Sequence, residues 1–152
     1  MVKTVFLDTC VFFDSIEDYA CNTIIKHAFN LDFKIVTSIT VIGEAIDQMR
    51  EHDERDYYIS SFISLLDDWG VYTYYPDPVI AEICYRLSTL DIDYRVEKTD
   101  RVHMGYAIAN GCDYFITSDS NLQKYRIPRE LESVHFFKPV TINLDDFKTI
   151  LK

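Results

Sequence analysis

Four Gly and four Pro in 152 residues leave little material for a flexible linker. No Ser/Gly-rich stretch, internal repeat or low-complexity segment interrupts the chain, so one domain is expected over residues 1–152. Long apolar runs are missing as well. The start, MVKTVFLDTCVFFD, is too short an apolar run for a secretion signal and has Asp8 inside it. No later run approaches the ~20 residues that a membrane-spanning helix requires. A soluble protein of the cytoplasm is the expectation. The four cysteines, Cys10, Cys21, Cys84 and Cys112, form no CxxC pair and have no His at metal-ligand spacing. That argues against a zinc site and against a disulfide framework, and leaves small apolar thiols in a reducing compartment. Basic charge is scarce too. Fifteen Lys and Arg against 25 Asp and Glu give a formal charge of −10, the wrong sign for general phosphate attraction. An acidic chain handles phosphates only where bound cations reverse the sign locally, and it is otherwise suited to basic partners.

What is present is apolar and aromatic. A hydrophobic fraction of 48%, with 11 Tyr and 10 Phe, predicts an ordered globule with one substantial core. Short apolar stretches at 3–7 (KTVFL), 33–38 (FKIVTS), 71–75 (VYTYY), 113–117 (DYFIT) and 133–137 (SVHFF) read as strands. Between them the apolar spacing predicts helices over 16–30, 39–52, 55–69, 77–88, 99–111 and 143–151. Ser38 or Thr40 would cap the second of these, Asp77 with Pro78 behind it the fourth, and Thr99 or Asp100 the fifth, which Gly111 would end. Strands alternating with helices give an α/β class, a three-layer α/β/α arrangement around a mostly parallel sheet of about five strands.

Functional groups in open α/β sheets gather at the carboxyl ends of the strands. Asp8 ends the first strand, and Asp119 follows the fourth in FITSDSNLQKYRIP. Glu44 lies in the first turns of the helix after the second strand. Asp100 reaches the same edge if its helix begins there. Asp119 would serve equally as a turn residue and Asp100 as a helix cap. Glu44, within ITVIGEAI, and Asp8, ahead of TCVFF, are harder to place on a solvated surface, because buried carboxylates are costly unless paired or metal-bound. Four carboxylates in one pocket would raise one another's pKa. Divalent cations resolve that conflict, since Mg²⁺ needs only one or two carboxylates per ion beside its waters.

The order of these residues resembles the PIN-domain family, and in particular VapC-like toxin ribonucleases. A first strand running into Asp8-Thr9, then SITVIGEA with Glu44, is similar to the start of that domain. TDRVHMGYAIANGCDYFITSDSNL is similar to its D-x-x-h-x-x-x-A-x-x-x-G…T-x-D block, with Asp100, Ala107, Gly111, Thr117 and Asp119 in place. The resemblance implies a metal-dependent endoribonuclease, often the toxin of a toxin–antitoxin pair. It implies Asp8, Glu44, Asp100 and Asp119 as Mg²⁺ or Mn²⁺ ligands, a metal-bound water as nucleophile, and Thr117, with Thr9 beside it, orienting a carboxylate or a water. RNA, an antitoxin protein and a second copy of the chain are the partners it implies, with the aromatic helix from Tyr57 to Trp69 as a candidate dimer face. The remaining Tyr of YYIS and VYTYY are expected in the core or at such an interface. Departures from the family pattern are Cys10, where Ser or Asn is usual, Asn121, which adds no acid, and Leu122, where an aromatic is common. His103 is expected to pack along its helix with a satisfied ring.

Lys98, Arg101, Lys124, Arg126 and Arg129 flank the two C-terminal acids and are candidates to grip an RNA backbone, with Tyr125 among them to stack on a base. A haloacid-dehalogenase-type phosphatase would need an acid where Cys10 stands. A receiver domain would need an acidic pair after the first strand, although Phe137-Lys138-Pro139 imitates its last element. A non-catalytic partner-binding module and a DNA flap nuclease of the same fold are the alternatives that remain.

Overall fold

The structure, a computed structural model, describes residues 1–90, 92–132 and 135–152. Five strands, β1 (Thr4–Leu7), β2 (Lys34–Ser38), β3 (Tyr72–Tyr74), β4 (Tyr114–Ile116) and β5 (Val140–Ile142), form one sheet in the order β3-β2-β1-β4-β5. Every pairing is parallel. Parallel neighbours require crossovers, and the chain supplies helices for each: α1 (Thr9–Glu17), α2 (Tyr19–Asn30), α3 (Ile39–Arg50), α4 (Arg55–Asp68), α5 (Pro78–Thr89), α6 (Lys98–Ala109), α7 (Ser120–Lys124), α8 (Arg129–Glu132) and α9 (Leu144–Ile150). The result is the expected three-layer α/β/α arrangement. Central strands covered on both faces carry no polar alternation, and Val5, Phe6 and Leu7 of β1 and Phe115 and Ile116 of β4 are fully buried. Phe6 and Phe115 face each other in register and stack with ring centroids 4.9 Å apart.

Three local expectations are corrected. The helix read over 16–30 is two helices, because Asp8 caps an earlier one at Thr9 and the chain turns at Asp18, whose carboxylate caps α2. Helix α6 begins at Lys98, one residue before Thr99, with Glu97 at its N-cap making no side-chain bond, so Asp100 lies inside the first turn and is free of capping duty. The strand read over 133–137 begins at 133 and 134, outside the described residues. Residues 135–137 are irregular, with His135 at φ 70°, and the fifth strand is Val140–Ile142, placed by pairing Tyr114 with Val140. Among the described residues no helix is long and apolar enough to cross a membrane. All four cysteines are free, Cys112 buried and the others half-buried.

Candidate metal centre

Strand β1 lies at the switch point of the sheet, with β2 on one side and β4 on the other. Register therefore decides what meets Asp8. Leu7 pairs with Ile116, so the next residues, Asp8 and Thr117, lie side by side, and Asp8 N–H donates to the Ile116 carbonyl at 3.1 Å. The Thr117 hydroxyl donates to Asp8 Oδ2 at 2.8 Å, while Asp8 Oδ1 accepts from Thr9 N–H at 2.8 Å. The same Thr117 oxygen accepts from Asp119 N–H at 3.1 Å, so one hydroxyl fixes two acidic positions. Asp119 caps α7 by accepting from Asn121 N–H. Cys10 occupies the space beside Thr117, its sulfur 3.9 Å from the Thr117 hydroxyl and accepting from Ser118 N–H.

Glu44 and Asp100 arrive from helices. The Ser38 side chain caps α3 through Val41 N–H, which places Glu44 one turn in. Between α3 and α6 stands His103, wholly buried. Its Nδ1 is 3.0 Å from the Thr40 hydroxyl, which is itself 2.7 Å from the Ser38 hydroxyl, and its Nε2 is 3.3 Å from Glu44 Oε2. Nε2 carries a proton and donates it to the Glu44 carboxylate. The ring is satisfied, as expected, but one of its partners is an acid of the set. Asp8, Asp100 and His103 each bring a ligand atom within 4.8 Å of the others. A His amid the apolar face of α6, one turn after Asp100, was the visible signal for this residue. Its partner Glu44, 59 positions away in sequence, was not.

The electrostatics follow from burial. Asp8 is only 5% exposed, and burial pushes its carboxyl above the ordinary range against the opposing pull of His103 and two hydrogen bonds. Asp100 is pushed up to about 7, first by burial and then by the charges of Asp8, Asp119 and Glu44, with His103 opposing. Glu44 moves the other way, because the hydrogen bond from His103 holds its carboxyl down more than burial raises it. The Thr9 hydroxyl lies close enough to lower Glu44 further yet outside hydrogen-bonding geometry, and it remains a buried hydroxyl with no partner. No Lys or Arg forms an ion pair with any of the four acids among the described residues. The set is a concentration of negative charge with hard oxygen donors and an orphaned hydroxyl, beside an imidazole whose two nitrogens are already engaged. Those donors fit a divalent cation.

The basic candidates divide. Lys98, Lys124, Arg126 and Arg129 are exposed. Arg101 is 6% exposed, and its Nη1 donates to the carbonyls of Val96 and Asp93, so it braces a loop instead of facing solvent. Tyr125 is buried beneath Lys138 and is not a surface ring for a base to stack on. Trp69 lies in the core, Tyr57 on the same α4 segment is exposed, and Tyr72 and Tyr75 are exposed also.

No protein-family model matches the sequence, and no curated protein does. Solved structures do. A chain of VapBC2 from Rickettsia felis, bound to a DNA fragment from their promoter, superposes with a TM-score of 0.67 at 13% identity, over 92% of this chain and 98% of that one. DNA-bound VapBC from Salmonella typhimurium gives 0.64 at 20% identity, over 95% and 99%. PAE2754 from Pyrobaculum aerophilum gives 0.62 at 15% identity, over 99% and 89%. Near-complete coverage in both directions shows that this chain shares the fold of these chains, the VapC-like PIN fold that the sequence resemblance implies.

Proposed function

We propose that the protein is a Mg²⁺- or Mn²⁺-dependent endoribonuclease of the cytoplasm. The single observation that carries this reading is the meeting of Asp8 and Asp100, with Glu44 and Asp119 within electrostatic reach and no Lys or Arg counter-ion among the described residues. Such a set is unfavourable as four anions and favourable around a cation. Asp8, Glu44, Asp100 and Asp119 would hold the metal, which when bound supplies an activated water and charge neutralisation at a phosphodiester.

The chain's own groups do the positioning. Thr117 holds the Asp8 carboxylate by donation and the Asp119 backbone by acceptance, so the spacing between β1 and β4 acids is set by one hydroxyl. His103 keeps the Glu44 carboxyl ionised and aimed across the α3–α6 gap. The Thr9 hydroxyl is buried beside Glu44 with no hydrogen-bond partner. Hydrolysis forms a bond from water oxygen to phosphorus and breaks the bond from phosphorus to the departing ester oxygen, which takes up the proton that water loses.

VapBC assemblies among the structural neighbours favour a toxin role with an antitoxin as partner, one whose basic side chain could enter the same acidic pocket. Self-association through the exposed part of α4 belongs to the same reading. Cleavage of a mixed single-stranded RNA pool with Mn²⁺, Mg²⁺ or EDTA, alongside Asp100→Asn, tests the proposal. We expect metal-dependent cleavage, abolished by EDTA and lowered at least ~100-fold in the variant. Equal activity in both proteins, or no heat of metal binding by calorimetry, would overturn it in favour of a partner-binding module. Preference for DNA flaps would keep the chemistry and change the substrate.

A further inference from the structure

The chain's cations are few, yet Arg95, Lys124, Arg126 and Arg129 line one pocket of about 410 Å³ together with Asp93 and Ile127. Local backbone explains the arrangement. From Lys124, the last residue of α7, exposure alternates along Lys124-Tyr125-Arg126-Ile127, so Tyr125 and Ile127 enter the core while Lys124 and Arg126 face outward. Two cations turned toward the protein, Lys138 half-buried and Arg101 buried, brace both walls. Lys138 Nζ donates to the carbonyls of Leu122, Gln123 and Tyr125, holding the lysine-bearing wall. Arg101 donates to the carbonyls of Asp93 and Val96, holding the other. Arg101 Nε and the Tyr125 hydroxyl behind the pocket are buried without a hydrogen-bond partner.

Of the rim cations, Arg95 is already satisfied by a two-point pairing with Asp93. Lys124, Arg126 and Arg129 make no ion pair among the described residues. Three unpaired cations on one rim, in a chain of charge −10, form a local anion site. It also grows from the same elements as the acids. Arg101 follows Asp100 in α6, and α7 separates Asp119 from Lys124 by five residues, about 7.5 Å of helix.

We propose that Lys124, Arg126 and Arg129 form a phosphate subsite that holds the backbone of a single-stranded RNA next to the acidic pocket. The subsite rests on the ribonuclease reading for its substrate class, and it explains how an acidic protein retains a polyanion: the acids, with their cation, take the scissile phosphate, and the rim takes a neighbouring one. The contact is to phosphate, so it confers strand grip without sequence preference.

The test is binding of a fluorescein-labelled oligouridine by anisotropy over a salt series, with Lys124, Arg126 and Arg129 changed together to Gln. Changing Lys3, Lys148 and Lys152 to Gln gives a control of equal charge. Because three single-strand phosphate contacts carry a log–log salt slope of roughly 2, the rim variant should bind about 100-fold more weakly near 0.1 M salt and converge on the parent near 1 M. The control should stay near the parent. Loss of binding in the rim variant alone supports the subsite even if no RNA is ever cut, in which case the ribonuclease reading fails and the subsite stands. Equal binding by parent and rim variant, equal loss in the control, or no RNA binding by the parent would each overturn it. Capture of an acidic peptide in place of RNA would overturn it in favour of a protein partner.

Discussion

Asp100 stands in the first turn of α6, where the helix dipole favours a carboxylate, and its pKa is nonetheless pushed up to about 7. Burial and three neighbouring acids outweigh the dipole. Its folded pKa lies above the ordinary 3.8, so the native state binds more protons than the unfolded state between about pH 4 and 7. Stability of the metal-free protein should therefore fall as pH rises through that window, with the full penalty present above it. Asp100→Asn should raise Tm at pH 8 and change it little at pH 4, which thermal unfolding across pH would read; a variant less stable than the parent at pH 8 would contradict the repulsion argument. His103 acts differently, through Glu44. Replacing it with Leu keeps the burial but removes the donor that holds Glu44 ionised, so Mn²⁺ affinity should drop about 10-fold or more by calorimetry. Unchanged affinity would make His103 a packing residue only.

At the scale of elements, the site depends on how closely α5 and α6 approach. Gly105 permits this: a Cβ built there would meet Cys84 Sγ at 2.5 Å. Ala is normally the better helix residue by about 1 kcal/mol, but overpacking of this kind costs about 1–3 kcal/mol. Gly105→Ala should destabilise the protein, and adding Cys84→Ala should recover most of the loss, a non-additivity that denaturant titration of the four proteins would measure. If Gly105→Ala alone were neutral, the helices would have room to move apart. The same pair of elements shows what a sequence carries. Asp77-Pro78 announced α5 correctly, since a cap and a missing N–H are local facts. The start of α6 and the whole of α1 were not announced, because Glu97 makes no side-chain bond and TCVFFDSIE lies beside a strand of similar apolar content.

For the whole molecule, a cation bound as proposed would link chemistry to stability. A metal at a hundred times its Kd stabilises by about 2.7 kcal/mol, which for a chain of this size raises Tm by roughly 5–10 °C. Mn²⁺ should produce such a shift in the parent and little in Asp8→Asn, whose carboxylate is the most buried of the set. The absence of a shift in the parent would count against any metal at this centre.

Periodicity and turn residues in the sequence determined the α/β alternation and the first four strands, because these are properties of neighbours along the chain, while the four acids were singled out by their places at the ends of those elements and by the family resemblance. Convergence was decided by tertiary structure. Only the parallel register sets Thr117 beside Asp8, only the packing of α3 on α6 gives His103 to Glu44, and only the fold turns Arg101 inward while leaving Lys124, Arg126 and Arg129 outward. Each of these joins residues that are distant in sequence, or depends on which face of an element the core covers, and neither quantity has a period that a single sequence can display.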